Sequence, residues 1–269
     1  MLYVTYVLNS LLMITMSLLL GWYLARRLGQ PWRFFIVGGV TFILAQVFHI
    51  PLVAGLTLAF RQGLLPAPPP QWQSLFNAVL LGLLAGLTEE LARYFVLRYS
   101  LKDARSWPSA LMFGAGHGGF EAIILGIVTL IAYVNMVMLA ENPTALSTLP
   151  ADQLAVAQAQ VAAYWSAPWP MPLLGALERA FALCIQLSLS VLVMQVFLRK
   201  QILWLVLAIL WHTLVDAVAV LALPQLGPAG TEVVVGVLAL ISLGIIFALR
   251  TPDDLAPTTT PELPPSFAS

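Results

Sequence analysis

Residues 75–99 read LFNAVLLGLLAGLTEELARYFVLRY. A bilayer core of about 30 Å is crossed by roughly 20 mostly apolar residues in a helix, and this run meets that length. It nevertheless carries Glu89, Glu90 and Arg93 in its second half. Charged side chains are expensive in hydrocarbon and are functional candidates by default. The stretch therefore announces both a membrane helix and a polar site inside it.

The rest of the chain agrees with the membrane reading. Of 269 residues, 60% are hydrophobic and 9% charged, and the mean hydropathy is +0.91. That composition excludes a soluble globular enzyme, a secreted scaffold and a disordered regulator. Twelve Lys and Arg balance twelve Asp and Glu, so no basic surplus points to nucleic acid. The single cysteine, Cys184, sits in an apolar run and reads as packing. Alone it excludes an intrachain disulfide framework and any paired-cysteine metal motif.

Seven runs satisfy the length requirement, at about Leu2–Ala25, Phe34–Phe60, Leu75–Tyr99, Pro108–Leu139, Pro172–Leu198, Ile202–Leu223 and Val233–Leu249. The expected fold is an all-α polytopic transmembrane bundle over residues 1–250, followed by a disordered tail at 251–269 rich in Pro and Thr. Gly114, Gly116, Gly118 and Gly119 give the long fourth run a place to kink or to meet a neighbour closely. Arg26, Arg27 and Arg33 fall in the first connection, Arg98, Lys102 and Arg105 in the third, and Arg199 and Lys200 in the fifth. The excess of Lys and Arg on alternate connections places these in the cytoplasm, the N-terminus outside and the C-terminus inside. With no basic region before it, the first run reads as a retained anchor. The outer connections include proline-rich 65–72 and the longer 141–170, whose Ala- and Gln-rich middle suggests an interfacial helix.

Removing loop charges leaves Glu89, Glu90, Arg93, Glu121, Glu178, Arg179 and Asp216 within the runs, with His49, His117 and His212. At 1.5 Å per residue, Glu89, Glu90, His117 and His212 all lie roughly 15 Å from the expected cytoplasmic face. Glu121 and Asp216 stand one turn beyond. Arg93 follows Glu89 by four residues and Glu90 by three, so it can pair with either on one helix face. Glu90 is taken as the catalytic carboxylate. His117 and Glu121, like His212 and Asp216, have the spacing that sets a carboxylate one turn from an imidazole, which suits a general base or a metal ligand. His49, near Gln46, sits closer to the outer leaflet, and both a site role and a packing role stay open. Glu178 and Arg179, near the outer end of their run, are read as structural. Neutralising so many carboxylates beside Arg93 requires shared protons, protonated imidazoles or a divalent cation, and the residues alone do not choose.

The elements Glu89-Glu90-x-x-Arg93, Phe113-x-x-x-His117 and His212-x-x-x-Asp216 resemble the motifs of the CAAX-protease and bacteriocin-processing superfamily of membrane peptidases, and within it the YhfC-type intramembrane metalloproteases of bacteria. Two residues rather than three separate Glu90 from Arg93, and Asp216 stands where asparagine is frequent. The resemblance implies an intramembrane endopeptidase of a bacterial cytoplasmic membrane, with Glu89 or Glu90 and His117 activating water. His212 and Asp216 would stabilise the oxyanion, and Glu121 extends the second motif. The resemblance leaves open a metal-free glutamate and histidine mechanism and one with a single divalent metal, zinc foremost, for which His117, His212 and Glu121 are the candidate ligands. The expected partners are the lipid bilayer and a membrane-associated peptide, with the site opening toward the cytoplasmic half. An ion- or proton-coupled transporter is the main alternative, and a catalytically silent chaperone or immunity protein is a third.

Overall fold

The computed structural model describes residues 1–146 and 150–250, and every regular element among them is helical. The long helices are α1 (Leu2–Leu28), α2 (Trp32–Arg61), α3 (Gln73–Tyr99), α4 (Trp107–Glu141), α5 (Ala151–Ser166), α6 (Leu174–Leu198) and α7 (Leu203–Ala248). All but α5 are long and apolar enough to cross a membrane. The expected tail, 251–269, lies outside the described residues.

Straight, the 46 residues of α7 would extend about 69 Å, more than twice the hydrocarbon thickness. The chain instead reverses. At Gly227 the backbone takes φ 68° and ψ 176°, between Pro224 and Pro228, a conformation essentially confined to glycine. Trp211 Nε1 then donates to Ser242 Oγ at 3.1 Å across 31 residues of sequence. The arms 203–226 and 228–248 are thus an antiparallel pair, matching the sixth and seventh expected runs. By contrast α4 continues unbroken through Gly114, Gly116, Gly118 and Gly119 for 35 residues.

Two ends of the bundle differ. Arg26, Arg27, Arg33, Arg98, Lys102, Arg105, Arg199, Lys200 and Arg250 gather at one, here called the basic end. There Arg33 pairs with Asp103, and the guanidinium of Arg250 lies over the Trp107 ring. The opposite, loop end carries 62–72 and the region of α5. Helix α5 has 16 residues, about 24 Å of helix and too short to span. It docks on α1, where Tyr6 stacks on Tyr164 with centroids 4.1 Å apart and its hydroxyl donates to the Tyr164 carbonyl at 2.8 Å.

Lipid gives packed helices little hydrophobic reason to associate, so close approach and buried hydrogen bonds must hold them. The bundle is accordingly apolar outside, with exposed Ile36, Ile43, Ile127, Ile131, Leu210 and Leu214, and carries Ser10, Ser17, Thr41, Ser188, Ser190 and Ser242 buried within. Ser10 and Thr129 hydroxyls bond at 3.0 Å between α1 and α4. Asn9 Oδ1 accepts from the Ala176 amide at 2.7 Å, satisfying one of the donors that the first turn of α6 leaves free. Helices α2 and α4 touch backbone to backbone: a methyl at Gly38 would lie 2.0 Å from the Phe113 carbonyl oxygen, and one at Gly116 would lie 1.9 Å from that of Phe35. All of 107–119 on α4 is buried, and this stretch ends beside the site.

The Gly38 contact has a direct consequence. Gly38→Ala is expected to cost about 1–3 kcal/mol or more through overpacking, whereas Gly55→Ala, with nothing within 4 Å, should leave stability unchanged or slightly raised. Thermal unfolding of the two variants in detergent checks the difference. Equal midpoints would refute the packing assignment.

Candidate active site

Helix α3 presents Glu89, Glu90 and Arg93 on one turn and a quarter, and all three are buried. Arg93 has no exposed surface, and an arginine in that position stays charged and must be paired. Its Nη2 lies 3.7 Å from Glu89 Oε2, and its Nη1 lies 3.4 Å from Glu90 Oε1. One guanidinium thus answers both carboxylates.

Each glutamate also meets a histidine from another helix. His117 Nε2, on α4, is 3.0 Å from Glu89 Oε2. His212 Nδ1, on the first arm of α7, is 2.7 Å from Glu90 Oε1. The common depth read from the sequence corresponds to contact. The partner of His117 differs from the one its spacing suggested: Glu89 takes the imidazole, while Glu121 receives Arg179 Nη1 at 2.6 Å. His212 keeps its intrahelical partner, with Nε2 3.5 Å from Asp216 Oδ2. An ionised Glu89 requires the proton of His117 on Nε2. The other ring nitrogen, Nδ1, is buried and without a hydrogen-bond partner, as is Glu90 Oε2.

Two neutral amides complete the network, and neither drew notice as a site residue in the sequence. Gln186, on α6, accepts from Arg93 Nη2 through Oε1, and its Nε2 donates to Glu121 Oε2 at 3.0 Å and to Glu89 Oε2 at 3.5 Å. Only a side chain with both an acceptor and donors can serve a guanidinium and two carboxylates at once. Gln46, on α2, donates to Glu89 Oε1 at 3.2 Å. A census of Asn and Gln inside apolar runs would have found both. His49 bonds the Thr88 hydroxyl at 3.3 Å, beside the site rather than in it. Glu178 pairs with Arg179, so that pair anchors Glu121.

A cavity of about 130 Å³ adjoins this network. Glu89 and His212 line it together with Glu121, Gln186, Asp216 and the Glu178–Arg179 pair. Glu90 and His117 do not. The donor chemistry fits a divalent cation, since imidazole nitrogen and carboxylate oxygen are ordinary zinc ligands and Glu90 Oε2 and His117 Nδ1 are buried without hydrogen-bond partners. As the side chains stand, no three His, Cys, Asp or Glu among the described residues surround one point. Glu121, one of the three expected ligands, is already engaged by Arg179.

An all-helical membrane bundle with paired acids and imidazoles at its centre defines a polytopic membrane protein with an intramembrane polar site. The family model described as "YhfC intramembrane metalloprotease" matches residues 11–239, and the chain belongs to that family. It is 30% identical over 246 residues to the "Uncharacterized membrane protein YhfC" of Bacillus subtilis (strain 168), covering 84% of this chain and 87% of that one. No solved structure matches.

Arg93 generates a stability prediction. Arg93→Met leaves Glu89 and Glu90 buried without their cation and is expected to cost about 3–5 kcal/mol. Adding Glu90→Gln should recover part of the loss by removing one stranded charge. If thermal unfolding shows Arg93→Met alone to be as stable as the parent, the pairing is not structural.

Proposed function

We propose that this protein is an intramembrane endopeptidase that hydrolyses a peptide bond of a membrane-associated substrate, with Glu89 activating the water. The observation that carries this reading is the position of Glu89, the one carboxylate of the two on α3 that borders the cavity. Glu90 has no exposed surface and faces inward. The role expected for Glu90 therefore passes to its neighbour.

In this reading a water in the cavity gives its proton to Glu89 as it attacks the peptide carbonyl. Gln46, Gln186 and His117 hold that carboxylate in place from three helices. His212 reaches the cavity with its ring fixed by Glu90 and Asp216. It is suited to hydrogen-bond the developing oxyanion or the departing nitrogen. Arg93 is a positioning residue, and Glu121 with Arg179 shapes the cavity wall. If a divalent cation binds in the cavity, Glu89 and His212 are the residues that would hold it, with His117 acting through Glu89, and it would polarise the carbonyl and acidify the water. The balance of carboxylates over cations supports such a site. The charge asymmetry supports a bacterial cytoplasmic membrane with the basic end inside.

Two measurements test the reading. Protein reconstituted in liposomes is incubated with a pool of internally quenched single-span peptides, and Glu89→Gln, His117→Ala and His212→Ala are each expected to slow cleavage about 10²–10⁴-fold. Unchanged cleavage by Glu89→Gln would overturn the assignment, and ion flux without cleavage would favour a transporter. Zinc per purified chain should approach one in the parent and be lost in the double variant His117→Ala/His212→Ala. Equal zinc in both would remove the histidines from the metal site.

A further inference from the structure

Toward the basic end the site is closed. Beyond Arg93 the next turn of α3 buries Leu97 and the connection after it buries Leu101, and Ala110, Met112 and Phe113 of α4 pack in one core with Leu189, Val193 and Met194 of α6 without exposed surface. The backbone ends there are sealed too. Arg105 donates to the carbonyls of Leu97, Leu101 and Ala104 at 2.6, 2.7 and 3.0 Å, and Trp107 Nε1 donates to the Ile246 carbonyl at 2.8 Å.

Toward the loop end it is open. Every wall of the 130 Å³ cavity lies on that side of Glu89 and His212: Glu121 follows His117 on α4, Ala182 precedes Gln186 on α6, and Val215 and Ala219 follow His212 on α7. The carboxylates on the loop-end side are more exposed than Glu89, at 21% for Glu121, 31% for Glu178 and 38% for Asp216 against 8% for Glu89. The cavity is roomy enough for several waters and is lined by the polar partners that hold them. The larger cavity of about 540 Å³ between α2 and α3 lies in the same half, with Leu84 at its floor. Leu84 is five residues before Glu89, about 7.5 Å along α3.

We infer that the site is served from the loop end: water reaches Glu89 through the α4–α6–α7 cavity, and the substrate is a polypeptide whose scissile bond lies in the leaflet away from the basic end. This rests on the peptidase reading and reverses the expectation of a cytoplasmic opening. With the basic end in the cytoplasm, the substrate class becomes membrane-anchored chains cut near their extracytoplasmic face. The carboxylates along the cavity, opposed by Arg179 alone, disfavour acidic side chains beside the cut.

Sidedness is tested without a substrate. In a Cys184→Ala background, single cysteines are placed in the cavity wall as Ala182→Cys and Ala219→Cys. Gln62→Cys marks the loop end and Lys102→Cys the basic end. Membrane-impermeant maleimide is applied to intact cells and to inside-out vesicles, with labelling in SDS confirming that each cysteine is reactive once unfolded. Both wall cysteines should label in the preparation that labels Gln62→Cys, with loss of labelling in the preparation that labels Lys102→Cys. Labelling from the Lys102 side, or from neither side, overturns the proposal. Because this readout needs no cleavage, a failed peptidase reading and a failed access route give different results.

Discussion

The ion pairs of Arg93 are the constraint on which the rest of the site depends. A guanidinium without exposed surface cannot shed its charge and must be answered by acceptors, which here meet both Nη groups while Nε is left without one. Glu89 and Glu90 supply two, and the carbonyl and side chain of Gln186 supply others. Since the arginine and both glutamates occupy neighbouring turns of α3, the charge balance is set within one helix. The other helices then bring what α3 lacks: imidazoles from α4 and α7, and amides from α2 and α6. Arg93 thereby fixes where the carboxylates point, and the histidines inherit their positions from them.

Much of this was legible in the sequence, for reasons that can be traced to particular residues. The crossings follow from apolar length, and the reversal at Gly227 from two prolines flanking a glycine, which together end one helix and begin another. The meeting of Glu89, Glu90, His117 and His212 follows from helical rise alone, because antiparallel helices in a slab must align residues of equal depth. What depth does not give is direction around the helix. His117 and Glu121 have the spacing to touch, yet Arg179 competes for Glu121 and Glu89 competes for His117. Tertiary pairing overrode a local possibility. Gln46 and Gln186 escaped notice because a search built on charge passes over neutral amides, although an amide is the group that can link a cation to two anions.

The two halves of the bundle are built on different terms, and that difference bears on function. On the basic-end side α2 and α4 make the closest glycine-to-carbonyl approaches among the described residues, Gly38 on Phe113 and Gly116 on Phe35. The loop-end half holds the cavities and the partly exposed carboxylates. A transporter working by alternating access must open both halves in turn around a central site. Opening the basic-end half here would break backbone contacts between α2 and α4 and uncover a continuous apolar core against the buried charges of α3. A hydrolase needs one opening, a rigid wall behind the reacting groups and a dry, preorganised environment for them. In the peptidase we propose, the closed half is that wall, and the asymmetry supports that reading over a transporter on grounds independent of any motif.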